Sequence, residues 1–319
     1  VVHRDDGVIH NAHYGDFEPG RVSLIASSSK MISAGVLWHL QEQGLLDVDA
    51  PIAAQTEWST AFDVTPAQLV SNSSGLVGLG PDLLYAPYLC QWFAASTLEE
   101  CSATVLETTG DDLDVAEPEA EFRYGGAQWQ VAGGVAEAVS GQSWDELITD
   151  IYVENCGVDS LGYLSLGQVL DASSGPGYPT RFGGDPSLHD TTDNPNIEGG
   201  AYITSDDYAK LLLMHLRGGE CENGTVFTQA SLDTMHADRL ATLGLNAGGP
   251  DTGYGMGWWV DRDTGIISDG GAWGAFPWLN LAEGYGAYWL IEDQSATTSA
   301  VSDELRDLVH MAITGESLT

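Results

Sequence analysis

The stretch Val22-Ser23-Leu24-Ile25-Ala26-Ser27-Ser28-Ser29-Lys30-Met31-Ile32-Ser33-Ala34-Gly35-Val36-Leu37-Trp38-His39-Leu40-Gln41-Glu42-Gln43-Gly44 changes its period partway along. From Val22 to Ala26 the residues alternate, as in a strand. From Lys30 to Gln43 they read as an amphipathic helix that stops at Gly44. Ser27 and Lys30 sit at the junction in a Ser-x-x-Lys pattern. Residues i and i+3 share a helix face, so the amine can reach the hydroxyl. A serine is a weak nucleophile until a base takes its proton, and a buried amine with a lowered pKa can be that base. The free N–H groups and dipole of a helix N-terminus favour the negative charge that develops during attack. Lys30 is one of two lysines, with Lys210, and neither Ser28 nor Ser29 has a lysine three places on. Ser27 is the candidate nucleophile. The spacing alone is a weak signal; its place at a strand-to-helix junction gives it weight.

The chain has 319 residues, of which 43% are hydrophobic, enough core for one large domain or two interlocked ones. It carries 47 Asp+Glu against 10 Lys+Arg, a formal charge of -37. The acids are dispersed, so the surface should repel nucleic acid and anionic membranes. Self-repulsion at this density destabilises the compact state unless salt screens it. A halophilic or marine source is the expectation, against a merely acidic secreted protein. No run of eighteen apolar residues exists, so no membrane insertion is expected. Val1 opens in strand-like sequence with neither Met nor signal peptide, which reads as a mature or trimmed form of a secreted or periplasmic protein.

Cys90, Cys101, Cys156 and Cys221 show no Cys-x-x-Cys spacing, which disfavours zinc or redox chemistry. Two disulfides are expected, Cys90 with Cys101 as the local pair and Cys156 with Cys221, each contributing ~2–4 kcal/mol. The alternative is four buried free thiols. No Gly-rich phosphate loop appears, and His10 and His13 point to opposite faces of a predicted strand. No metal or cofactor is expected. The absence of Gly-x-Ser-x-Gly argues against an α/β-hydrolase.

Val8 to Tyr14 alternates and should pair with Val1-Val2-His3 across Arg4-Asp5-Asp6-Gly7. Tyr254–Val260, Gly265–Ile267, Pro277–Leu281 and Gly286–Ile291 read as further strands, followed by a helix from about Thr298 to Ile313. Residues 47–196 hold helical segments and long Gly/Pro/Asp loops without a strand series. The expected fold is α/β (α+β): residues 1–46 and 197–319 form an antiparallel sheet domain flanked by helices, and 47–196 an inserted, mainly helical domain.

A catalytic Ser/Lys pair needs a proton shuttle and oxyanion donors. Tyr124 is the candidate shuttle, where a loop turns into the helix that follows Gly125-Gly126. Here the chain resembles the serine β-lactamase/penicillin-binding protein superfamily. It is closest to the branch of class C β-lactamases, D-alanyl-D-alanine carboxypeptidases and family VIII esterases. Five blocks carry the resemblance in order. They are Ile25–Lys30 running on to Pro51, Thr65–Leu76, Tyr124-Gly125-Gly126 with Val139–Ser143, Gly199–Lys210, and Tyr254–Trp258. The resemblance implies a β-lactamase-like fold, Ser27 as the acylated nucleophile, Lys30 as its partner and Tyr124 as the group that passes the serine proton to the leaving group. It implies an oxyanion hole from the backbone N–H groups of Ser27 and Ala272. The latter follows Asp269-Gly270-Gly271, which stands where relatives have Lys-Thr-Gly or His-x-Gly.

Two departures bear on substrate. Gly126 replaces the asparagine that holds a substrate amide in relatives. Asp269 replaces a cation that recognises a carboxylate. Two carboxylates ~4 Å apart cost about 1 kcal/mol even in water, so the change is repulsive unless Asp269 points away from the pocket. Gly126, Asp269, Gly271 and Trp273 are the expected substrate-binding positions, Trp273 lining an acyl or aromatic pocket. The expected activity is hydrolysis of a neutral carboxylic ester through an acyl-enzyme. Linear amide (nylon-oligomer-type) hydrolysis comes next, then β-lactamase or carboxypeptidase activity, and a non-catalytic binding module last. The partner is a small-molecule or oligomeric ester or amide substrate; the sequence is silent on oligomeric state.

Overall fold

The computed structural model describes residues 1–58, 62–79, 85–93, 95–173 and 185–318. Its strands are β1 (Val2–His3), β2 (Gly7–Val8), β3 (Val22–Leu24), β4 (Gly162–Tyr163), β5 (Ala201–Thr204), β6 (Thr252–Tyr254), β7 (Trp259–Asp261), β8 (Ile267–Ser268), β9 (Ala275–Asn280) and β10 (Tyr285–Leu290). Its helices are α1 (Lys30–Glu42), α2 (Pro66–Val70), α3 (Leu98–Thr109), α4 (Ala127–Ser140), α5 (Trp144–Ile148), α6 (Glu154–Cys156), α7 (Leu166–Ser173), α8 (Ser205–Leu216), α9 (Gln229–His236), α10 (Arg239–Leu243) and α11 (Ser295–Thr314).

Both ends of the chain build one antiparallel sheet in the order β2-β1-β10-β9-β8-β7-β6. The N-terminal hairpin joins it through Val2 opposite Gly286. A second sheet, β3-β5-β4, takes in one short strand from the middle of the sequence. Leu305, Val309 and Ile313 of α11 pack with Trp278 and Tyr285 of the large sheet and with Ile266 just before β8. The expected antiparallel sheet flanked by helices is thus present.

Helix α1 is buried on nearly every face: Lys30 to Trp38 and Leu40 are all inaccessible. The sequence reads it as amphipathic, but a helix apolar all round belongs at the centre of a structure. Gly35 permits this. A side chain there would meet the Tyr152 hydroxyl at 2.1 Å and Phe227 at 2.9 Å. The Tyr152 hydroxyl instead donates to the Ile32 carbonyl at 2.8 Å.

Two strand expectations need correction. The strand expected over Val8 to Tyr14 is only β2, ending at Val8, because β2 is the sheet's edge and only Gly7 and Val8 find partners on β1. Tyr254 to Val260 is not one strand but the turn of a hairpin: Tyr254 on β6 pairs with Trp259 on β7. Gly257 lies in the left-handed region at φ +81, and a Cβ there would sit 2.7 Å from the Lys30 carbonyl. Alternation continues through this stretch, but the close approach to α1 forces the turn.

Both cysteine pairs are bonded. Cys90–Cys101 ties a 3-10 turn to α3, and Cys156–Cys221 closes a span of 65 residues between α6 and the segment after α8. No helix among the described residues is long and apolar enough to cross a membrane.

Candidate active site

The junction between β3 and α1 is a 3-10 turn, Ala26–Ser29. Ala26 enters it at φ +49, a left-handed conformation that costs an alanine energy. The turn sorts its three serines. Ser28 is buried and donates to the Asp269 carbonyl. Ser29 is buried, donating to the Ala26 carbonyl at 2.6 Å and accepting from the Ala201 N–H at 3.1 Å. Ser27 alone is partly exposed.

Lys30 is wholly buried. Its Nζ donates to Ser27 Oγ at 3.1 Å and to the Glu198 carbonyl at 2.8 Å, and lies 3.4 Å from Glu198 Oε2. The ammonium also sits 4.8 Å from the centroid of the Tyr124 ring and 5.6 Å from that of Trp129. The Tyr124 phenol neighbours the Ser27 side chain, which pulls its pKa down. Tyr124, about a hundred residues on in the sequence, is thus brought against the local Ser27/Lys30 pair.

The electrostatics invert one expectation. Burial pulls the Lys30 ammonium downward, but the acidic groups of Tyr124, Glu198 and Asp269 around it and the Glu198 hydrogen bond outweigh it, and its pKa is raised. The amine is not a free base waiting for a proton. Tyr124 is also held in its neutral form: burial raises the phenol, Lys30 and the Ser27 hydrogen bond pull it down, Asp269 and Glu198 push it up, and the net shift is upward.

The Beta-lactamase family matches residues 1–311. The chain belongs to the beta-lactamase family. Penicillin-binding protein 4 of Amycolatopsis lactamdurans is 26% identical to it over 97% of this chain and 80% of that one. Among solved structures, a putative beta-lactamase from Bacteroides dorei superposes with a TM-score of 0.71 at 24% identity, covering 96% of this chain and 91% of that one. EstCE1, described as a hydrolase with promiscuous acyltransferase activity, superposes with a TM-score of 0.64 at 19% identity over 88% of this chain and 82% of its own. This beta-lactamase-family chain is accordingly a hydrolase of the serine β-lactamase/penicillin-binding protein superfamily.

Within this beta-lactamase-family site the expected substrate positions divide. Ala272 is exposed and Trp273 partly so, the latter packed on Leu24, Leu164 and Val169 with Trp92 and Tyr202. Gly271 is buried against α1's entry turn, where a Cβ would meet the Ile25 carbonyl at 2.0 Å. Gly126 is buried too, at φ +82 and ψ -160, a conformation open essentially to glycine. Any side chain there would meet the Val77 carbonyl at 2.7 Å, so an asparagine has no room.

Asp269 is a correction. It does not face the cleft: it is 0% exposed, and its Oδ2 accepts the Met31 N–H at 3.0 Å, capping the N-terminus of α1. Its Oδ1 has no hydrogen-bond partner among the described residues. Burial pushes this carboxyl well above the usual carboxylate range, against the pull of Lys30 and the Met31 and Lys30 N–H groups. It therefore cannot meet a substrate's anionic group directly.

Sequence reasoning missed two residues. Asn72, at φ +57, takes three donors on Oδ1: the Gly125 N–H at 2.9 Å, Gln128 Nε2 at 3.0 Å and Trp129 Nε1 at 2.9 Å. Its carbonyl accepts from Arg123 N–H at 2.8 Å. Asn72 thereby brackets Tyr124 on both sides. Its place in Ser71-Asn72-Ser73-Ser74-Gly75 was a signal, since asparagine tolerates left-handed turns. Glu198 is the other. Only 5% exposed, it touches Lys30 and accepts the Gly126 N–H on Oε2 at 2.8 Å. Nothing in the sequence separates it from the other acids except the Gly199-Gly200 pair that follows.

Proposed function

We propose that this protein hydrolyses neutral carboxylic esters through an acyl-Ser27 intermediate. The observation that carries the reading is the Lys30 ammonium, bonded to Ser27 Oγ and lying over the Tyr124 ring. With the amine charged and the phenol neutral, both steps run as a relay. In acylation, Ser27 Oγ attacks the carbonyl carbon and gives its proton to the Tyr124 oxygen. The Tyr124 proton passes to the leaving alcohol as the C–O bond breaks. In deacylation a water attacks, its proton goes to Tyr124, and the phenol proton returns to Ser27 Oγ. Tyr124 ends each step as it began, and the Lys30 ammonium stabilises the charge that passes between the two oxygens. The carbonyl oxygen would lie between the N–H groups of Ser27 and Ala272; the Ala272 N–H meets no acceptor among the described residues, which supports that role.

The ester preference rests on charge. A β-lactam or D-alanine carboxylate needs a cation beside the oxyanion strand, and position 269 supplies a buried carboxyl instead. Arg123 and Arg239 are engaged by Glu121 and Glu119. Support for an ammonium-bearing amide falls away with Asp269 turned inward. Trp273 gives an apolar wall for the acyl or alcohol group. The two disulfides and the charge of -37 fit an exported protein of a saline medium.

The test is a panel in high salt: short and long p-nitrophenyl esters, a chromogenic cephalosporin and an aminohexanoate dimer, with Ser27→Ala as control. Ester turnover that vanishes in Ser27→Ala, without cephalosporin turnover, is expected. Activity surviving the substitution sinks the assignment.

A further inference from the structure

The segment Asn194–Gly200 is held more tightly than a connecting loop requires. Gln130 Nε2 donates to Asn194 Oδ1 at 2.7 Å and to the Pro195 carbonyl at 2.8 Å. Ser33 Oγ donates to the Ile197 carbonyl at 2.7 Å, and the Gly200 N–H to the Asn196 carbonyl at 2.7 Å. Gly200 has no space for a side chain, since a Cβ would meet the Leu164 carbonyl at 2.3 Å. This rigid arch delivers one ionisable side chain, Glu198, into the interior. Its Oε2 then serves two elements at once. The backbone carbonyl and Oε2 both face Lys30 Nζ on α1, at 2.8 and 3.4 Å. The same Oε2 accepts the Gly126 N–H that starts α4, two residues beyond Tyr124.

We propose that Glu198 is the positioning residue of this site, a single carboxylate that anchors the Lys30 ammonium against Ser27 and locks the Tyr124-Gly125-Gly126 turn in register with it. A buried ammonium without an anion would shed its proton, and a Gly-Gly turn without an anchor would let the phenol drift. Both conditions are met by one side chain, which couples the charge of the amine to the place of the phenol. The inference rests on the Ser27, Lys30 and Tyr124 roles proposed above, though not on the substrate class. The titratable groups that feel this carboxylate are Lys30 from α1, Tyr124 before α4 and Tyr254 on β6.

The test reads Ser27 reactivity without assuming a substrate. A fluorophosphonate probe labels the serine, and labelling rate is followed from pH 6 to 11 in wild type, Glu198→Gln, Glu198→Asp and Glu198→Ala, each checked for folding by circular dichroism. Glutamine keeps an acceptor for the Gly126 N–H but removes the charge. Loss of that charge eases proton loss from both Lys30 and Tyr124, so the alkaline limb should move to lower pH by roughly 1–3 units. Aspartate keeps the charge and should hold the limb near wild type at a rate reduced several-fold. Alanine should shift the limb and lower the rate at every pH by about 10²-fold or more. A Glu198→Gln profile that superimposes on wild type overturns the proposal. So does an aspartate variant whose limb moves as far as that of glutamine. If Ser27→Ala labels as fast as wild type, the assignment of the nucleophile has failed, which is a separate outcome.

Discussion

Two buried nitrogen centres lie on either side of the loop Gly255–Trp258. Gly257 presses on the Lys30 carbonyl, and the Trp258 ring stands 5.3 Å from His215 and 5.9 Å from His236. The two histidines touch, His215 Nδ1 to His236 Nε2, at 2.9 Å. Burial is nearly equal in the two centres, yet their protonation runs in opposite directions. Desolvation lowers His215 well below its ordinary value, with His236 adding to the effect; it takes His236 down to about 4 against a small opposing pull from Asp233. Lys30 ends raised because the acidic groups of Tyr124, Glu198 and Asp269 surround it and Glu198 bonds it. Burial drives every cation toward its neutral form, and neighbours decide whether it succeeds. The neutral pair is packing material bridged by one hydrogen bond, and the charged centre is a place where proton transfer can be steered.

The comparison breaks first at Lys30. Lys30→Met keeps the length of the side chain and removes the charge, so kcat/KM for an ester substrate should fall by at least ~10²–10³-fold. The substitution also strands Glu198 as an unpaired buried carboxylate, which costs about 3–5 kcal/mol when its partner is removed. Activity and melting temperature should therefore fall together. A variant that keeps more than a tenth of wild-type activity would show that the ammonium is not part of the chemistry. His236→Gln makes the opposite expectation. The glutamine can still meet His215, so ester turnover at pH 7 should stay within about threefold of wild type. The effect is on acid stability. His236 titrates near 4 when folded and near 6.5 when unfolded, so the unfolded chain takes up the proton first as pH falls. Stability from this site is complete above about 6.5 and lost as pH drops to about 4, a difference on the order of 3 kcal/mol. Thermal melts at pH 7 and pH 4 should show a larger drop in wild type than in His236→Gln. Equal drops would mean that the pair does not titrate as a buried unit.

The same contrast explains what the sequence could tell. The bounds of α1, the contact of Ser27 with Lys30 and the C-terminal strand series follow from short-range periodicity, and spacing sufficed for the local Cys90–Cys101 pair. The β6–β7 hairpin was hidden because Tyr254 to Val260 keeps alternating through a turn that only the nearness of α1 requires. Asp269 was visible as a departure from relatives, but its direction was not: whether a carboxylate faces a cleft or caps a helix depends on which N–H groups lie behind it. Glu198 was invisible for a statistical reason. It is one of 47 acids, and what sets it apart is the arch that buries it, a property of residues 130, 164 and 33 rather than of its own neighbours in sequence.

The smallest expected effect separates these interior charges from the surface. A net charge of -37 acts at the solvent boundary, where the Debye length falls from ~10 Å at 0.1 M to ~3 Å at 1 M salt. Molar salt should therefore relieve the repulsion among exposed carboxylates and raise the melting temperature by several degrees or more. Ions do not reach Lys30, Glu198 or the histidine pair, which have almost no accessible surface. The alkaline limb of Ser27 labelling and the acid step assigned to His236 should each move by less than about half a pH unit between 0.1 M and 2 M salt. The two readings fail in distinct ways. A melt indifferent to salt would remove the saline habitat while leaving the site untouched. A labelling limb that moved by a full unit would mean that water and ions reach the amine, and then burial could not be what makes its neighbours decisive.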